Sequence, residues 1–272
     1  MNMNNKINMN KQKRKLNIFQ ITFCGIRTTI LRLCLFIASL IWLPIGIISF
    51  PVSWKIRIYT YRYWGMLALY LARIICGIRY EIKGKENLKG LSLKNKKAVV
   101  FISNHQSAWE TTTFMGILTP MVYVLKKNLF LIPFFGLALI LTKQIGINRS
   151  QKIESFKKVI KAGKDRLSKG ISVLIFPEGT RIQPFTRVPF HKSAANLAKS
   201  AKVPIIPIAI NSGFCWPGKK FIAYPGKVTV IIGQKIETDN ITSKQAHEKA
   251  TKWILEHMEQ FEKGYINQIK NI

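Results

Sequence analysis

A run of 22 residues without a single charge, Leu33 to Trp54 (LCLFIASLIWLPIGIISFPVSW), constrains this chain more than any other feature. As one helix it reaches roughly 33 Å at about 1.5 Å per residue, enough to cross a hydrocarbon core of about 30 Å. No small-residue cleavage site follows it, and it is too long for a signal-peptide core, so it reads as a retained segment. Pro44, Gly46 and Pro51 interrupt it. Both flanks are basic, with Lys11, Lys13, Arg14, Lys15, Arg27 and Arg32 before it and Lys55, Arg57 and Arg62 after it. A single crossing biases Lys and Arg to one side. Two basic flanks point instead to a segment that enters and returns to the same leaflet, or lies along it, with an ordinary transmembrane anchor as the alternative. The following stretch, Tyr59 to Tyr80, carries Trp64, several Tyr and three Arg among aliphatics, the pattern of an interfacial amphipathic helix.

Charge divides the rest. No Asp or Glu precedes Glu81, while the first 80 residues hold 12 Lys and Arg. Over the whole chain 43 basic residues face 12 acidic ones, a formal charge of +31, yet 48% of residues are hydrophobic. A disordered basic tail protein lacks that apolar content. The four Cys, at 24, 34, 76 and 215, have neither a metal spacing nor a close pair. No metal site is expected, and a reducing compartment is the simpler setting. An ordered, apolar, strongly basic chain is built to meet a polyanion, either nucleic acid or an anionic membrane surface. The organisation expected is a basic N-terminal tail over 1–32, disordered through its Asn/Lys-rich residues 1–15, a membrane-associated helical segment over 33–80, and a folded domain over 81–272.

That domain alternates apolar runs with helical patterns. Ala98–Ser103, Met121–Leu125, Ile171–Phe176, Pro204–Ile210 and Val228–Gly233 read as buried strands. In Gln151–Lys169, Ile153, Phe156, Val159, Ile160 and Leu167 predict one buried stripe opposite lysines, and Ser243–Phe261 repeats the pattern. The fold class expected is α/β, a mostly parallel sheet covered by helices, preceded by a membrane-embedded helical segment.

Two strings carry chemistry. Asn104-His105-Gln106-Ser107-Ala108-Trp109-Glu110 follows the first strand. A His and a carboxylate five apart lie about 140° apart on a continuous helix and do not face each other. At a strand-to-helix turn they do, with His105 on the loop and Glu110 in the first helical turn. Such a pair can deprotonate an alcohol, the carboxylate fixing the imidazole tautomer. Ser107-x-x-Glu110 is equally a capping box, which leaves His105 an ordinary loop residue. The second string, Phe176-Pro177-Glu178-Gly179-Thr180-Arg181, ends another strand. A glycine, a hydroxyl and a guanidinium at the carboxyl end of a strand are phosphate-binding parts, or else a surface turn.

Taken together, NHQSxxE and FPEGTR, with Lys126-Lys127-Asn128-Leu129, Ile132-Pro133-Phe134-Phe135-Gly136, Gly146-Ile147-Asn148-Arg149 and Val203–Ile208 in order, resemble the glycerolipid acyltransferase family, in particular its bacterial members that acylate 1-acylglycerol 3-phosphate. The resemblance runs from about residue 70 to about 235. It implies that His105 is the general base, with Glu110 standing where the family usually has Asp, and that Glu178, Gly179, Thr180 and Arg181 bind the acceptor, Arg181 and Lys126 on its phosphate. Asn128, Asn148 and Ser193 depart from the Glu, Asp and Gly usual there. It further implies transfer of an acyl group from an acyl carrier protein or coenzyme A thioester, used as co-substrate with no other cofactor, to the free hydroxyl of lysophosphatidic acid, giving phosphatidic acid. The place implied is the cytoplasmic (inner) membrane with the active site facing the cytosol, among membrane lipids. Other acceptors, such as glycerol 3-phosphate or another lysolipid, remain open within the family. Late lipid A acyltransferases share a His and Glu five apart, but not a reason for FPEGTR. A membrane-tethered nucleic-acid binder is the different-class rival, and no RRM, KH, zinc-finger or aromatic-basic platform supports it, so nucleic acid is not an expected partner.

Overall fold

A computed structural model describes residues 17–270 apart from 119 and 219, so the disorder expected for residues 1–15 lies outside the described residues. The first helix, α1, spans Ile18–Ile48, beginning well before the uncharged run. A capping box starts it: the Gln20 N–H donates to Asn17 Oδ1 at 2.8 Å and the Asn17 N–H to Gln20 Oε1 at 3.1 Å. Residues 18–32 are therefore helix rather than tail. Their cations have partners in the body of the protein, Arg27 donating to the Ile75 carbonyl and Arg32 Nη2 to the Phe221 carbonyl. The Thr28 hydroxyl accepts from the Ala223 N–H at 2.9 Å.

After the turn at 49–53 the chain returns as α2, Trp54–Cys76. The Trp42 indole of α1 donates to the Thr60 carbonyl of α2 at 3.0 Å. A Cβ added at Gly46 would lie 3.0 Å from Leu141 Cδ1 and 2.9 Å from Tyr61 Oη, so α1 rests on the body there as well. Gly77, at φ +67°, ends α2 in the left-handed conformation that favours glycine, and strand β1 (Ile78–Lys83) begins at once. The helical segment expected at a membrane thus stops at Cys76, and Ile78–Tyr80 is strand rather than interfacial helix.

The body is a seven-stranded sheet in the order β1-β7-β6-β2-β5-β3-β4, with β2 Val100–Ser103, β3 Met121–Lys126, β4 Ile145–Ile147, β5 Ser172–Ile175, β6 Ile205–Ile210 and β7 Gly226–Ile232. Every pairing is parallel except β6 with β7. The expected α/β class with a mostly parallel sheet is what the chain adopts. β2, β5 and β6 are buried along their whole lengths, as central parallel strands require. Helices α3 (Trp109–Leu118), α4 (Phe135–Leu141), α5 (Lys152–Leu167), α6 (Ser193–Ala201) and α7 (Ser243–Lys270) follow the strands. The α5 stripe differs from expectation. Ser155, Val159, Gly163 and Leu167, four apart, face inward, while Ile153 and Phe156 are exposed. Gly163 decides this, because a Cβ there would lie 2.6 Å from Leu197 of α6.

One contact ties the N-terminal helices to the chemistry. A Cβ at Gly65 of α2 would lie 2.5 Å from the Gly116 nitrogen of α3, so these helices cross with backbones touching. α3 follows the β2 loop that holds His105.

Candidate active site

The parallel strands β6, β2 and β5 end side by side, the position where open α/β sheets hold ligands. The loop leaving β2 is fixed first. Asn104 Nδ2 donates to the Ile210 carbonyl at 2.8 Å and Asn104 Oδ1 accepts the Ile210 N–H at 2.9 Å, locking the loop to the end of β6. His105, next in line, is nearly buried and stacks on Phe176 with ring centroids 4.1 Å apart.

Glu110 is fully buried in the first turn of α3, and its carboxylate has four partners. Oε1 lies 3.1 Å from His105 Nδ1 and accepts the N–H groups of Gln106 at 2.5 Å and Ser107 at 2.7 Å. Oε2 accepts the Ser212 hydroxyl at 2.6 Å. Ser107 Oγ accepts the Trp109 N–H at 3.0 Å. The capping interactions and the His–carboxylate pair, rivals in the sequence, therefore coexist on one carboxylate. Burial alone raises the Glu110 pKa, but the hydrogen bond and charge of His105, with the donors from Ser212 and Gln106, bring it below the usual carboxylate range. With Nδ1 engaged, the remaining ring nitrogen Nε2 is the one left to accept a proton.

Glu178 behaves differently. Its Oε2 accepts the His105 backbone N–H at 2.5 Å, so it braces the loop as well as lining the cavity. Burial pushes its pKa up to about 8, the Glu110 charge adding to the rise while the His105 N–H and Arg187 oppose it. Arg187 and Glu262 of α7 form a two-pronged pair at 2.8 Å, and Glu262 also accepts the Phe185 N–H, holding the segment after Arg181 in place.

All of this opens on a cavity of about 1140 Å³, larger than the usual small-molecule range of about 300–1000 Å³. Each of His105, Lys126, Glu178, Gly179, Thr180 and Arg181 lines it, whereas the carboxylate of Glu110 lies behind His105. Arg149, Lys152 and Lys192 join the cationic side. Among the described residues none of Lys126, Arg149, Lys152 and Arg181 is in an ion pair. Burial holds Arg149 below the usual guanidinium range. A cluster of uncompensated cations in a cavity is an anion site. The same cavity has an extensive apolar lining, including Leu43 and Trp64 of the first two helices with Leu129, Phe135, Leu139 and Phe156. Among the described residues no group of three His, Cys, Asp or Glu could hold a metal ion.

Sequence reasoning did not find Ser212 or the bracing role of Glu178. Asn104 and Arg149 were quoted in motifs without a role. The only signal for Ser212 was its place just past the end of a strand.

Comparisons with known proteins give the chain its relatives. The family model described as Acyltransferase matches residues 79–211. The chain is 37% identical over 246 residues to the 1-acyl-sn-glycerol-3-phosphate acyltransferase of Pseudomonas aeruginosa, covering 87% of this chain and 92% of that one. It is 29% identical over 195 residues to human 1-acyl-sn-glycerol-3-phosphate acyltransferase beta, covering 71% and 63% of the two chains. The fold matches the crystal structure of the 1-acyl-sn-glycerophosphate (LPA) acyltransferase PlsC of Thermotoga maritima at TM-score 0.71 and 18% identity, over 87% of this chain and 97% of that one.

Proposed function

From the premise that the chain belongs to the acyltransferase family, we propose that it transfers an acyl group from a thioester to the free hydroxyl of lysophosphatidic acid, giving phosphatidic acid. The observation that carries this reading is one cavity lined by His105, with the buried Glu110 carboxylate behind it, by four cations that form no ion pair among the described residues, and by apolar side chains. The cations suit a phosphate monoester, and the apolar lining suits hydrocarbon. The relatives' names supply the substrate class. His105 Nε2 takes the acceptor hydroxyl proton as the oxygen attacks the thioester carbonyl. Glu110 stabilises the imidazolium so formed. The tetrahedral intermediate collapses, the C–S bond breaks, and the thiolate leaves with the proton returned from His105. Arg181, Lys126 and Arg149 hold the phosphate, with Gly179 and Thr180 shaping the approach.

The donor in this reading is acyl carrier protein or coenzyme A thioester, supplied from the cytosol to an enzyme on the inner membrane. α1 is long and apolar enough to cross a membrane by length and composition. It nevertheless touches the body from Thr28 to Gly46, about 27 Å of helix at about 1.5 Å per residue, and α2 returns beside it. A helix laid along the body over that length does not stand across a bilayer with the body outside. This supports the same-leaflet arrangement that the two basic flanks suggested.

The test offers purified protein each thioester together with lysophosphatidic acid, glycerol 3-phosphate and lysophosphatidylcholine, and reads the products by mass spectrometry. Phosphatidic acid from the first acceptor, with little product from the other two, is expected. Equal use of lysophosphatidylcholine would remove the phosphate-monoester assignment.

A further inference from the structure

Two parts of the fold close on one carboxylate. Glu110 and Ser212 are both fully buried, and Ser212 is not among the cavity-lining residues, so it meets no substrate. Its hydroxyl donates to Glu110 Oε2 at 2.6 Å, and among the described residues it is the one hydrogen-bond donor to that oxygen. Oε1, by contrast, serves His105 Nδ1 and the N–H groups of Gln106 and Ser107. The torsion that turns a glutamate carboxylate about its Cγ–Cδ bond is soft. Without Ser212 the carboxylate plane can swing and share the donors of Oε1 between both oxygens, and the direction from Oε1 to Nδ1 is no longer fixed.

Neither side can follow a shorter side chain. The Tyr123 hydroxyl donates to the Glu110 carbonyl at 3.1 Å and anchors the backbone of residue 110. The turn that carries Ser212 is tied to its neighbours: Asn211 Oδ1 accepts the Thr229 N–H at 2.6 Å, and the Gly213 N–H donates to Gln106 Oε1 at 3.1 Å. One methylene fewer draws a carboxylate back by up to about 1.5 Å, which takes a 2.6 Å contact out of hydrogen-bond reach.

We propose that Ser212 is a positioning residue for the His105–Glu110 pair, and that residue 110 has to be glutamate because an aspartate does not span from His105 to Ser212. The inference rests on reading His105 as the general base, and adds to it a residue from beyond β6 that acts through Glu110 alone.

A cycle of variants in the full chain, solubilised in detergent, tests it. Ser212→Ala should lower kcat by about tenfold, the scale of one hydrogen bond to a charged group, with the KM for acceptor and thioester unchanged. Glu110→Asp should lower kcat by a similar factor, and adding Ser212→Ala to it should then change kcat by less than about twofold. A Ser212→Ala loss as large in the Glu110→Asp background, an unchanged kcat, or a rise in KM alone overturns the proposal. The second readout needs no turnover. With isotope-labelled histidine, the Nδ1–H resonance of His105, identified by its absence in His105→Ala, should lie downfield in the wild type, as a proton shared with a carboxylate does. It should move or broaden in Ser212→Ala and in Glu110→Asp. An identical resonance in all three proteins overturns the positioning role, and Glu110→Asp decides the matter alone where Ser212→Ala does not fold. A wild type inactive on every acceptor would sink the acyltransfer reading, while the histidine resonance would still decide whether Ser212 holds the pair.

Discussion

Glu110→Gln separates the two duties that one carboxylate performs. Glutamine keeps an oxygen that can accept from Gln106, Ser107 and His105 where Oε1 does now. Its amide faces Ser212, whose hydroxyl can rotate to accept. The helix start is therefore preserved, and the loss in folding stability should stay within about 1 kcal/mol, the scale of one capping interaction. What disappears is the charge. Two unit charges about 4 Å apart attract by about 4 kcal/mol at an effective dielectric of about 20, and here the separation is 3.1 Å in a fully buried site. Part of that attraction offsets the cost of burying the carboxylate in the ground state. Some 3 kcal/mol of imidazolium stabilisation in the transition state is then lost, a rate reduction of about 10²-fold at 1.36 kcal/mol per decade. Single-turnover thiol release, followed with a thiol-reactive chromophore, measures the rate, and thermal melting in detergent measures the fold. A folded variant within about threefold of the wild-type rate would refute the catalytic assignment and leave Glu110 a cap.

Four further outcomes follow from the same geometry. His105→Ala should lower turnover by about 10²–10⁴-fold with membrane binding retained, since it removes the base; a folded variant with normal kcat refutes that role. Arg181→Lys keeps charge but loses the planar fork, so KM for the acceptor should rise while KM for the thioester changes little, and equal rises would show that Arg181 is no acceptor clamp. Glu178 binds its proton more tightly folded than unfolded, so between its unfolded pKa near 4.3 and its folded value of about 8 the native state holds the extra proton and stability falls as pH rises. Glu178→Gln should therefore melt above wild type at pH 8, the difference vanishing towards pH 5; denaturant titration across that range reads it, and a constant difference would sink the argument. For Glu110 the sign reverses, its lowered pKa stabilising above the unfolded value and losing that contribution as pH falls through the folded one. Gly65→Val would drive a side chain into the Gly116 backbone and should cost several kcal/mol by parting α2 from α3, read as a large drop in melting temperature.

The central strands, the two chemical strings and the contacts of His105 with Glu110 were legible because each rests on local pattern. The apolar runs at β2, β5 and β6 are short and rich in β-branched residues, which favours buried strand over helix. What stayed hidden depended on tertiary partners. Arg27 and Arg32 looked like the flank of a membrane segment, yet the Ile75 and Phe221 carbonyls satisfy them inside a helix that starts at Ile18. The Asn17–Gln20 capping pattern was the available clue. β1 alternates charge with apolar residues at a sheet edge and merged with the preceding aromatic helix, though Gly77 marked the break. β4 has only three residues, too few for a period. On α5, counting large apolar residues chose Ile153 and Phe156, whereas the buried face includes small Ser155 and Gly163, the latter letting Leu197 of α6 approach. The pairings of Ser212 with Glu110 of α3 and of Asn104 with Ile210 of β6 could not be seen because each joins residues more than 100 positions apart in the sequence.

The sheet order explains how one histidine is held between two carboxylates without doubling the negative charge. β2 sits between β6 and β5, and each neighbour sends one group to the loop that follows it. From the β6 side Ser212 binds Glu110, and from the β5 side Glu178 binds the His105 N–H. Four donors keep Glu110 ionised, while Glu178, with burial and the Glu110 charge against it, holds its proton up to about pH 8. Two titratable groups with environments that push them apart take different roles. The ionised one lies behind the imidazole, where it favours the imidazolium. The neutral one lines the cavity, where a second full negative charge would repel an anionic acceptor and oppose the oxyanion that forms at the thioester carbonyl. At neutral pH the cavity lining therefore presents its cations with little opposing charge, while a Glu178 carboxyl oxygen still accepts the His105 N–H and braces the loop.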